Sequence, residues 1–461
     1  MTIRALGDAL RAGSTSSREL TAGALERAHA LDDELHAFIT LDDEGALAAA
    51  DRADAELRAG TDRGPLHGIP IGVKDNLDTR GLRTTFGSAA HRDHVPQADA
   101  EAVGRAAAAG AVSIGKQNLH EFALGVTSVN PHFGTVGNPR VPGRIAGGSS
   151  GGGAASVAAG IVPASIGSDT SGSIRIPAAC CGVVGFKPTF GAVPTRGCFP
   201  EAASLDTVGP LAGSVEDAEL MFRALASGSL EPGPTTARPA DVGPVRIGIE
   251  SDFFLHDVDA AILRAVRSFL DALDPAGFEL RDVTIPHIGE ATEALTVTDI
   301  AETTALHQRT LRERPEVFGE DVRALIEEGF GPTAVQYVDA QATRAVLAEE
   351  FARAFEDVDV IVSPTLPIPV PEVDGTVGLL DGEEVDGIAA LMRLIGPANL
   401  VGLPALSIPI GVVDGLPVGL QVIGGRGQDL GVLAAGRALE TVVSAVGSVG
   451  ACGRRRWAQL R

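Results

Sequence analysis

The chain has 461 residues, 44% of them hydrophobic and 21% charged, which is the make-up of a globular protein with room for one large α/β domain or two or three smaller ones. Thirty-seven basic against 60 acidic residues leave a formal charge of −23, a field that repels phosphate backbones and anionic lipid heads. Neither nucleic acid nor a membrane is therefore an expected partner, and the acidity itself reads as solubility.

Residues 1–60 read as helices. Ser16-x-x-Glu19 has the spacing of a capping box and opens a helix to about residue 29; Thr40 is placed to cap another over 46–57, ending near Gly60. From Leu66 the pattern changes: short β-rich runs at 69–73, 111–114 and 161–166 alternate with alanine-rich helical segments at 98–109 and 154–159. That alternation implies an α/β sheet covered by helices. A Pro/Gly-rich stretch at 227–244 reads as an internal connection. Beyond it come strands at 245–249, 358–362, 405–410 and 419–423, and helices at 260–273 and 430–442. The arginine run at 454–456 reads as a solvated end.

Aromatic residues make up 4% of the chain, which argues against a site walled by stacked rings. The cysteines at 180, 181, 198 and 452 suit neither a disulfide scaffold nor a Cys-x-x-Cys metal site. Reduced thiols in a cytoplasmic protein are the simplest reading, with Cys180 and Cys181 as core filling. The N-terminus shows no basic flank followed by an apolar stretch, and no run approaches the roughly 20 apolar residues of a spanning helix.

The chemistry lies in three segments. Ser173 lies in Gly167-Ser168-Asp169-Thr170-Ser171-Gly172-Ser173-Ile174-Arg175, and Ser149 lies 24 residues earlier in Gly147-Gly148-Ser149-Ser150-Gly151-Gly152. A lysine ends the apolar run Gly68-Ile69-Pro70-Ile71-Gly72-Val73-Lys74. Two glycine-bedded serines and a lysine have the elements of a nucleophile, a proton relay and a base, with no need of histidine, metal or cofactor. Glycines let backbone approach a ligand closely, and the alanine-rich run after Ser150 can start a helix whose dipole faces the loop. Successive N–H groups around residues 170–173 can converge on a developing oxyanion. A lysine hidden from water has a depressed pKa; reaching neutrality near pH 7 costs about 4 kcal/mol and gives a competent base. A salt bridge from Lys74 to Asp75 or another acid is the alternative, and Asp169 with Arg175 reads as a structural ion pair beneath the loop.

Competing motifs are weaker. The Gly-x-Ser-x-Gly match at Ser149 lacks a preceding strand and a histidine in the last third of the chain. Ser113-x-x-Lys116 lacks the Ser-Asp-Asn and Lys-Thr-Gly partners of penicillin-recognising enzymes. His91-x-x-His94 has no third ligand nearby in sequence, and both phosphate-loop patterns are absent.

Residues 147–188 resemble the signature region of the amidase signature family. The likeness extends through residues 68–76 and 115–122 upstream, and 204–210, 399–407 and 416–421 downstream, and so covers most of the chain. It implies a single large α/β domain over 1–461, with a central mixed β-sheet covered on both faces by helices. Within it, 1–60 would supply N-terminal helices, 61–226 the signature core, and 245–461 the second part of the sheet and pocket elements. Carried across, the family's catalytic lysine falls on Lys74, its bridging serine on Ser149 and its acylated serine on Ser173. Thr170, Ser171 and Gly172 fall at the oxyanion turn, and a cis peptide is implied between Gly148 and Ser149. Most relatives carry glycine where this chain has Ser171. The implied reaction is hydrolysis of a small-molecule linear amide, or a related carbamate or urea, without a metal; homodimerisation is expected from the resemblance alone. Two alternatives stand beside it: the glutaminase subunit of a tRNA-dependent amidotransferase, which works only in a complex, and a silent scaffold of the same fold. Residues 129–134 lean toward the stand-alone hydrolase, and intact Lys74, Ser149 and Ser173 lean away from the scaffold.

Overall fold

The computed structural model describes residues 2–228, 245–373 and 376–445. Cys452, the arginine run and residues 229–244 of the expected connection lie outside the described residues. In chain order the strands are β1 (Phe38–Leu41), β2 (Pro70–Lys74), β3 (Val112–Gln117), β4 (Ala164–Asp169), β5 (Val184–Lys187) and β6 (Thr207–Ala212). They continue with β7 (Arg246–Ile249), β8 (Glu279–Asp282), β9 (Val360–Pro364), β10 (Val377–Leu380), β11 (Glu383–Asp386), β12 (Ala405–Val413) and β13 (Leu416–Gly424).

Eleven of them form one sheet in the order β1-β3-β2-β4-β6-β5-β12-β13-β9-β7-β8, so segments on both sides of residues 229–244 share a single sheet. The strands β3, β2 and β4 run parallel, as do β9, β7 and β8, while the middle of the sheet is antiparallel. The mixed sheet flanked by helices is the architecture expected. Strand β2 is buried along its whole length, as an interior parallel strand must be, and its Ile71 and Val73 feed the main apolar cluster. Helices Glu101–Ala108, Val215–Leu225, Ala260–Asp271 and Asp429–Ala445 pack into that cluster, whereas Ser17–Ala30, Asp43–Arg58 and Gly151–Ala158 pack into a second around Val112 and Ile114. No described helix is long and apolar enough to cross a membrane.

The capping box at Ser16 forms: its Oγ accepts from the Glu19 N–H at 3.1 Å, and its own N–H donates to Glu19 Oε2 at 2.9 Å. Thr40 does not cap the next helix. Pairing of β1 with β3 claims Thr40 for the sheet, and Asp42 caps instead, accepting from Gly45 N–H at 3.1 Å. Residues 1–60 thus hold an edge strand as well as helices.

Candidate active site

Lys74 and Asp169 end β2 and β4, which are adjacent and parallel, with Val73 opposite Ile166. The segments leaving their carboxyl ends therefore emerge side by side, where open α/β sheets place ligands. Lys74 Nζ lies 2.8 Å from Ser149 Oγ, 2.8 Å from Ser168 Oγ and 3.4 Å from the Ser168 carbonyl. No carboxylate pairs with it among the described residues. Asp75 turns away to Thr85, accepting from its N–H at 2.8 Å and its hydroxyl at 2.5 Å, and faces Lys116 at 3.8 Å. The sequence alternative of a Lys74–Asp75 salt bridge is thereby removed. Burial pushes the Lys74 amine down to about 8, against Glu201, the strongest of the acids drawing it back up.

Ser149 follows a cis peptide after Gly148, as the resemblance implies. The next residues open helix Gly151–Ala158, and a Cβ on Gly152 would stand 2.5 Å from the carbonyl oxygens of both Ala37 and Asn118. This close approach is what the glycine bed provides. The Ser150 N–H donates to the Ser173 carbonyl at 3.1 Å, which seats the Ser149 loop against the Ser173 turn. The two hydroxyls themselves are not hydrogen-bonded, and the Ser173 hydroxyl is without a partner among the described residues.

The Ser173 turn is capped by Asp169, whose carboxylate accepts from Gly172 N–H at 2.9 Å and Ile174 N–H at 3.1 Å. The Gly172 N–H, expected at the oxyanion turn, is thus held by Asp169. The N–H groups of Thr170, Ser171 and Ser173 make no hydrogen bond among the described residues and stay available. Gly172 is needed for its backbone, at φ +110°, where a Cβ would also come within 2.8 Å of Ile395. Beneath the turn, Arg175 grips Asp169 through Nε and Nη2 at 3.1 Å each, and reaches Gln421 Oε1 at 2.6 Å, Asn399 and the Ile395 carbonyl. Burial alone would raise the Asp169 carboxyl, but Arg175 holds it well below the usual carboxylate range. Arg175→Met should cost about 3–5 kcal/mol in denaturant unfolding, because it strands a buried carboxylate.

Several residues around the site are not among those the sequence singles out for catalysis. Ser168 joins Ser149 on the Lys74 amine and also accepts from Asn76 Nδ2 at 2.9 Å. Three carboxyl groups crowd the other side. Asp206 accepts from the Thr170 hydroxyl at 2.6 Å, and Asp299 accepts from the Ser171 hydroxyl at 2.5 Å. Glu201 is buried with its Oε2 unpartnered. Burial pushes Asp206 to about 7 and Asp299 to about 6, and raises Glu201 well above its usual range, with Asp299 and Asp206 adding to the effect. Some of the chain's few rings form a separate buried cluster. Phe199 lies 4.4 Å from Phe86 and 5.3 Å from Phe122 between ring centroids, and His91, His94, His307 and Phe318 pack around them.

A family model described as Amidase matches residues 19–433. A glutamyl-tRNA(Gln) amidotransferase subunit from Roseiflexus sp. (strain RS-1) is 38% identical, over 96% of this chain and 96% of its own. A crystal structure of an amidase shares 38% identity at a TM-score of 0.89, covering 96% of this chain and 99% of that one. The corresponding amidotransferase subunit from Thermotoga maritima shares 33% identity at a TM-score of 0.74, covering 92% and 91%.

Proposed function

This chain belongs to the amidase family, and we propose that within it the protein is a stand-alone amidohydrolase, cleaving a linear carboxamide or related C–N bond through Lys74, Ser149 and Ser173. The observation that carries this reading is a fully buried lysine amine, unpaired with any described carboxylate, 2.8 Å from the Ser149 hydroxyl. Neutral Lys74 accepts a proton from Ser149 as Ser149 takes one from Ser173, whose Oγ attacks the amide carbonyl. The relay requires the Ser149–Ser173 contact to form when substrate binds, as catalytic hydrogen bonds that are open in the free enzyme often do. The N–H groups of Thr170, Ser171 and Ser173 hold the oxyanion, each worth on the order of 10²–10³ in rate. Ser149 returns the proton to the departing nitrogen, and water then releases the acyl group from Ser173 by the reverse relay.

The name shared by the Roseiflexus and Thermotoga relatives favours a second reading, a glutaminase subunit that needs partner chains. One assay separates the two. The purified chain alone should release ammonia from simple amides, with a rate that climbs about tenfold per pH unit and levels above about 8 as Lys74 loses its proton. An isolated chain silent on simple amides and on glutamine, and active only with added partner chains, would favour the second reading. Residues 129–134 and the fit to the amidase structure support the first.

A further inference from the structure

The turn bearing Ser173 is held by carboxyl groups from three directions. Asp169 caps it through backbone N–H groups, and Asp206 takes the Thr170 hydroxyl; both belong to neighbouring strands or the loop before β6. The third hold comes from far away in the chain. Asp299 projects from helix Ala291–Glu313 and accepts from Ser171 Oγ at 2.5 Å, across 128 residues of sequence.

That helix is itself firmly fixed. Glu302 accepts from the Ser204 N–H at 3.0 Å and its hydroxyl at 2.6 Å, and Thr303 donates to the Glu201 carbonyl at 3.0 Å. Asp299 and Thr303 stand four residues apart and so share one face, directed at the Ser173 turn and at residues 201–206. Resting on the reading of Ser173 as nucleophile, we propose that Asp299 is a positioning residue for amide hydrolysis, holding through Ser171 the backbone N–H groups that face the oxyanion.

The serine at 171 is what makes such a hold possible, since its hydroxyl gives Asp299 a handle on the peptide units on either side. Asp299 is 5% exposed and Ser171 4%, so little solvent competes for the bond. An amide oxygen at position 299 would accept the same bond.

The test compares steady-state kinetics and thermal unfolding of Ser171→Ala, Asp299→Ala, Asp299→Asn and the double alanine variant. Ser171→Ala and Asp299→Ala should each lower kcat about tenfold or more with KM within about twofold, as expected for misplaced transition-state donors. Asp299→Asn should recover to within about threefold of the wild type, and the double variant should be no slower than the slower single one. Unchanged kcat with only a lowered Tm, a change carried by KM, multiplied single effects, or no recovery in Asp299→Asn would each overturn the proposal. Ser171→Ala and Asp299→Asn keep it testable should Asp299→Ala fail to fold. Fluorophosphonate labelling of the wild type separates the premise: label on a residue other than Ser173 removes the nucleophile reading, whereas label on Ser173 with unaffected variants removes only Asp299.

Discussion

Ser173→Ala is expected to lower kcat by about 10⁶-fold while leaving KM, fold and Tm nearly unchanged. The size follows from what the hydroxyl does in the proposed reaction: without it no acyl-enzyme forms, and only donor and binding effects are left. The small stability effect follows from the structure. The Ser173 hydroxyl makes no hydrogen bond among the described residues, whereas its carbonyl, which alanine retains, accepts from Ser150. Deleting the oxygen therefore strands no buried partner. Circular dichroism and thermal unfolding should match the wild type, and an intact-mass shift with fluorophosphonate should vanish. Turnover retained by the variant would remove Ser173 from its role, and a parallel collapse of Tm would show that the loss of activity was structural.

How much of this is legible in the sequence varies element by element. The apolar run at 69–73 marks β2 to within one residue, because a strand buried on both faces advertises itself. The β-rich run at 161–166 stops short of the end of β4, which continues through Gly167-Ser168-Asp169, residues with poor strand propensity. Their pairing with Thr207, Val208 and Gly209 of β6 decides the matter, and no local pattern carries that information. The same extension hides Ser168, which faces the lysine only because β4 runs beside β2. Lys74, Ser149 and Ser173 are visible through their glycine settings and the family resemblance. Asp299 is not, because helix Ala291–Glu313 carries polar residues over most of its surface and nothing near residue 299 points to residue 171. Thr40 gives a false capping signal because an edge strand of four residues leaves too short a pattern to oppose a good capping residue.

Lys74→Met is expected to lower kcat by about 10⁴-fold and, at neutral pH, to leave the fold as stable as the wild type or more so. Burial lowers the amine from 10.5 in the unfolded chain to about 8 in the folded one. Between those values the unfolded state binds more protons, so wild-type stability rises with pH from about 8 to 10.5. Below about 8 the full cost is present, ~3 kcal/mol for this shift. Methionine has a similar reach and no charge to desolvate, so it removes that cost. It also forfeits the contacts to Ser149 and Ser168, which offset part or all of that gain, so the variant should be about as stable as the wild type or more so at pH 7. The gain should shrink as pH approaches 10, and urea unfolding of both proteins at pH 7 and pH 10 measures it. A lysine held as an ammonium by a buried carboxylate would behave in the opposite way. Its loss would leave that acid uncompensated and destabilise the fold by about 3–5 kcal/mol at pH 7. The sign of one stability difference thus distinguishes a buried amine without a carboxylate partner from a carboxylate-paired structural cation, independently of any substrate.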